Sequence, residues 1–74
     1  MNAYATIEVL PKTISNGRPV LRAMVDLSTA AGEWLGAFTV FGLTHQELRD
    51  RAYMEANLNV SEKGYDLQSI REIA

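Results

Sequence analysis

Trp34-Leu35-Gly36-Ala37-Phe38-Thr39-Val40-Phe41-Gly42-Leu43-Thr44-His45-Gln46-Glu47-Leu48 decides the fold. Its first half reads as a strand over Trp34 to Phe41, apolar at every position except Gly36 and Thr39. Apolar side chains on both faces suit a central strand, or one whose second face meets a partner. Its second half starts a helix. Thr44-His45-Gln46-Glu47 is a capping box, in which the Thr hydroxyl accepts from the Glu47 amide and the Glu carboxylate reaches back. Leu43 before the cap and Leu48 in the first turns form a hydrophobic staple. The pattern predicts a helix over Thr44–Asn57, with Leu48, Ala52 and Ala56 on one face. Two alanines there allow close approach to a sheet, and Glu47 with Arg51 makes a favourably oriented i, i+4 pair.

Upstream, Tyr4 to Leu10 alternates, with Ala5, Ile7 and Val9 on one face and Tyr4, Thr6 and Glu8 on the other. Val20 to Leu27 alternates too: Leu21, Ala23, Val25 and Leu27 inward, Arg22, Met24 and Asp26 outward. Asn16-Gly17 between them is a turn signal, because both residues accept positive φ. A plain two-residue turn would set Ile7 opposite Asp26 and Val9 opposite Met24. Opposed residues share a face, so that register mixes apolar with polar. A one-residue shift gives Val9 a partner in Ala23 or Val25. A bulge or longer loop is therefore expected between Pro11 and Pro19. Ser28 to Gly32 is small and polar, a loop.

Downstream, Asn59 to Gly64 is polar and turn-like. Tyr65 to Ile73 fits two readings. Leu67, Ile70 and Ile73 at three-residue spacing suit a short helix. Gly64 as punctuator, β-branched Ile and the need to complete the sheet suit a strand, and the strand is preferred. The fold expected is α+β: a small antiparallel sheet of three or four strands with one helix packed on one face. The order is β-β-β-α followed by a fourth strand, all in a single domain over 1–74.

At 74 residues and 8.2 kDa the chain makes one small domain. A 47% hydrophobic and 22% charged composition is globular. Without cysteine there is no disulfide and no thiolate metal site, so core packing or a partner must hold the fold. Residues 1–32 carry three basic and two acidic side chains, whereas 33–74 carry four basic and seven acidic. The pI of about 5.2 weighs against nucleic acid. Basic positions favour Arg, five against two Lys, which suits specific paired contacts. No apolar run approaches the roughly 20 residues that span a bilayer, and no secretory leader is visible. No membrane partner is expected, and the default location is cytoplasmic.

Chemistry-bearing motifs are sparse. His45 is the one histidine, and a metal site needs about three or four converging ligands. Gly32, Gly36 and Gly42 form neither G-x-G-x-x-G nor a P-loop, and no G-x-S-x-G appears. Gly36 instead marks a bulge or packed backbone, and Gly42 the strand-to-helix turn. No catalytic, cofactor-binding or metal residues are expected, and the chain reads as a non-enzyme.

Strict alternation puts Trp34 and Phe38 on one face of the third strand and Leu35, Ala37 and Phe41 on the other. One helix covers only one face of a small sheet. Either Trp34 is core, or it anchors an open face together with Phe38, Tyr4, Arg22 and Met24. Trp, Tyr, Met and Arg are the types enriched at interfaces. A protein partner is therefore expected, with a homodimer as one form of it. The best functional reading is a non-enzymatic protein-binding module, such as a small phage or bacterial inhibitor or adaptor that blocks a host defence complex by surface contacts.

Glu33-Trp34-Leu35-Gly36-Ala37-Phe38, with a hairpin before it and an Ala-bearing helix after it, resembles the W-L-G-x-F run of DNA-binding domains of the AP2 and integrase-arm type. The resemblance covers about a third of the chain. It implies a three-stranded sheet with a helix behind it and a sheet face turned to DNA. Those sheets carry several Arg or Lys; here the hairpin offers mainly Arg18 and Arg22, and Asp26 and Glu33 have the opposite sign. A nucleic-acid-binding domain is thus the alternative reading, and a small enzyme the third.

Overall fold

Asn16 and Gly17 turn the chain with φ of 52° and 77°, the positive pair that a tight type I′ hairpin demands. The computed structural model describes residues 1–73. On either side of that turn, β1 (Asn2–Ser15) and β2 (Arg18–Thr29) pair antiparallel, closing at Ser15 against Arg18. The register slips between Leu10 and Thr13, so Pro11 and Lys12 together take the space of one partner residue. Beyond the slip Ile7 faces Val25 and Val9 faces Ala23. The bulge expected from the Pro11–Pro19 conflict is therefore present, and it resolves that conflict by keeping the tight turn.

β3 (Trp34–Gly42) lies antiparallel on the other side of β2, and α1 (His45–Glu62) follows it. Tyr65 to Ile73 yields β4 (Asp66–Ile73), as a strand and not a helix. The strand order is β3-β2-β1-β4. β1 and β3 run the same way, both opposed to β2, and the helix returns the chain against them. β4 therefore joins the free edge of β1 parallel to it, which makes the sheet mixed. Hydrogen bonding from the Asp66 amide to the Met1 carbonyl, 2.8 Å, opens this pairing.

The helix starts where the capping box places it. Thr44 is the N-cap, and its hydroxyl accepts from the Glu47 amide at 3.1 Å. The Glu47 carboxylate reaches one residue further back than the motif requires and accepts from the Leu43 amide at 3.4 Å. Arg51 pairs with Glu47 at 3.1 Å. Leu43 remains 63% exposed, so the staple adds little and the Thr44 bond carries the cap. Thr44→Ala should lower stability by about 1 kcal/mol, read as a shift in the urea midpoint with the slope unchanged.

The helix ends later than Asn57. It continues to Glu62 because Val60 extends the Leu48, Ala52, Ala56 stripe by one more i+4 step, and all four are buried. It stops in a Schellman closure, with Gly64 at φ 81° donating to Ser61 O at 3.0 Å and Tyr65 N to Val60 O at 2.9 Å.

The core lies between this stripe and one face of the sheet. Twelve apolar residues are buried among the described residues, Ile7, Leu21, Val25, Leu27 and Val40 being the larger ones on the sheet, and five of the twelve are alanines. Ala3, Ala5 and Ala23 on the sheet share one buried cluster with Ala52 and Ala56 on the helix, and side chains this small let the two layers pack closely. Gly42 is part of the same tight seam, since a Cβ there would sit 2.7 Å from the Leu48 amide nitrogen. Ala52, fully buried, has no room for a longer side chain. Ala52→Leu should cost about 1–3 kcal/mol by overpacking. A neutral urea midpoint for this variant would contradict the close helix–sheet approach.

Candidate interaction face

No helix among the described residues lies over the second face of the sheet. Cross-strand register arranges its side chains in four rows. Trp34, Ser28, Tyr4 and Ser69 form one; Ala37, Asp26, Thr6 and Arg71 the next. Thr39, Met24, Glu8 and Ile73 form the third, and Phe41, Arg22 and Leu10 the fourth. Trp34 is 68% exposed, Ile73 51%, Phe41 47% and Met24 38%. Tyr4 is half-buried and stands two strands from Trp34 in the same row, about 10 Å away between backbones.

Four of the five residues expected on an open face are on it: Trp34, Tyr4, Arg22 and Met24. Phe38 is not. It lies opposite Val25, on the helix side, and packs partly buried against the core. Strict alternation fails in β3 because Leu35 and Gly36 together oppose the single residue Leu27, with Gly36 at φ 149°. That bulge inverts the parity of everything after it. Leu35 turns to the core, and Phe41 comes round to the face that carries Trp34. Gly36 was the available signal for this inversion. Ile73 and Arg71 could not be assigned to a face before the partner of β4 was known.

Electrostatically the face is balanced. Glu8 and Asp26 stand against Arg22 and Arg71. Among the described residues the ion pairs are Arg51–Glu47 and Arg49–Glu72, at 3.1 and 2.7 Å, and neither lies on this face. Arg22 has a structural task as well: its Nε donates to the Pro11 carbonyl at 3.1 Å and braces the hairpin bulge.

His45 is exposed at the helix start, beside a surface recess of about 300 Å³ that Lys12, Pro19, Leu21, Leu43 and Thr44 also line. Among the described residues no group of three or more His, Asp or Glu side chains is placed to hold a metal ion. No described helix is long and apolar enough to cross a membrane. Comparison with protein-family models, curated proteins and solved structures finds no match to this chain.

Proposed function

We propose that this protein is a non-enzymatic protein-binding module that docks a partner on the open face of its sheet, with Trp34 as the anchor. The observation that carries the reading is a tryptophan two-thirds exposed on a sheet face that also presents Met24, Phe41 and Ile73. Apolar side chains grouped in this way mark interaction sites on small proteins. Tyr4 extends the patch along the Trp34 row, and Arg22 lies at its far margin beside Phe41. A binding role of this kind suits a small inhibitor or adaptor, of phage or bacterial type, that acts on a larger complex by surface contact.

Equal numbers of acidic and basic side chains on the face favour a protein surface over a phosphate backbone, which selects for a basic stripe. The test is affinity capture with the wild-type chain and with Trp34→Ala in parallel. One partner recovered stoichiometrically by the wild type and lost by the folded variant supports the reading. Capture unaffected by the variant rejects Trp34 as anchor. Duplex DNA binding that falls steeply with salt would favour the nucleic-acid alternative.

A further inference from the structure

We propose that two copies of this chain associate through the free edge of β3, forming one continuous sheet about a two-fold axis at Thr39. Among the described residues the sheet ends in two unpaired edges, β3 and β4. β4 is protected in the usual way, with Asp66, Arg71 and Glu72 among its eight residues. β3 has nine residues and no charge, no proline and no lysine. Each of the other strands carries charged side chains, so β3 is the one segment whose neutrality matches its own edge.

The regular part of that edge is self-complementary in size. Gly36-Ala37-Phe38-Thr39-Val40-Phe41-Gly42 begins and ends with glycine. Antiparallel pairing about Thr39 sets Gly36 against the partner's Gly42 and Ala37 against the partner's Phe41. It also sets Phe38 against the partner's Val40. Ala37 against Phe41 then sets small against large, Phe38 against Val40 sets aromatic against β-branched, and every opposed pair lies on one face. Thr39 meets its own copy, a pairing that sheets favour.

Charge on the flank fits the same occupant. Between the edge and the helix runs a groove of about 500 Å³, with Phe38, Met54, Arg51 and Glu55 in its lining. Its two charged residues are of opposite sign. Arg51 is already paired with Glu47 within the helix at 3.1 Å, so the flank sets no uncompensated run of like charge against a second copy. Met54, 56% exposed, is the apolar element that such pairing would cover.

The experiment uses the whole chain. Sedimentation equilibrium from micromolar to millimolar protein should give twice the 8.2 kDa chain mass for the wild type. Thr39→Lys places like charges on the axis and should return the monomer mass with an unchanged circular dichroism spectrum; Thr39 is exposed. The natural chain has no cysteine, so an introduced pair reports geometry directly. Opposed Cβ atoms lie about 4.5–5.5 Å apart, close to disulfide reach. Thr39→Cys should oxidise to a covalent dimer at least tenfold faster than Ser69→Cys on the β4 edge. A wild type that stays monomeric, a dimer indifferent to Thr39→Lys, or equal oxidation rates would each overturn the proposal.

Discussion

Leu27→Ala is expected to lower the unfolding free energy by about 2–5 kcal/mol, out of a total that for a chain this small is on the order of 4–11 kcal/mol. Leu27 is 1% exposed and is among the largest fully buried side chains. Its cost falls at the upper end because its neighbours cannot close over the cavity. Across β1 it faces Ala5, and across β3 it faces Gly36. Neither has a side chain that could swing into the vacated volume, and cavity cost rises with the volume left unfilled. The same leucine is the residue that the Leu35–Gly36 bulge straddles. Urea unfolding by tryptophan emission and by circular dichroism should give one shifted midpoint. A loss below about 1 kcal/mol would mean that the bulge relaxes to fill the space, which would unsettle the placement of Trp34 as well.

Trp34→Ala separates binding from folding. Trp34 is 68% exposed, and a surface substitution of this kind changes stability by no more than about 0.5 kcal/mol. Partner affinity should fall by about 2 kcal/mol or more, roughly 30-fold, if the residue acts as a hot spot. Trp34 is the chain's one tryptophan, so its emission reports the docking itself. It should be red-shifted in the free protein and move to the blue when partner is added. Loss of the fold in Trp34→Ala would instead make Trp34 part of the core and remove the basis of the proposed face.

The two variants also mark where local pattern ceases to suffice. Three features were legible because they depend on residues close together in the chain. Asn16-Gly17 accepts positive φ wherever it stands, and the clash of faces it creates at Ile7 and Val9 demanded a bulge that the structure places after Leu10. Thr44 and Glu47 satisfy orphan amides within a single turn. Gly64 stops one element and starts another, although its task as the helix C′ residue could be read only with Val60 in view.

By itself, then, the sequence determined the type and order of the first four elements, the turn and the helix start, and the stripe of Leu48, Ala52 and Ala56; for Tyr65 to Ile73 it only preferred a strand over a helix. Those follow from torsional preference and short-range hydrogen bonding, which the tertiary fold did not override. Tertiary structure decided the rest. Helix length depended on Val60 finding the core, and the parallel place of β4 on which edge the returning chain met. Most consequentially, the face of every residue after Gly36 depended on Leu27 being opposed by two residues. A strand's side chains alternate with a period of two, so one extra residue exchanges its faces, and only pairing with a neighbour shows where that residue lies. Phe38 went inward and Phe41 outward for this reason, leaving Trp34 on an open face whose composition no run of residues along the chain displays.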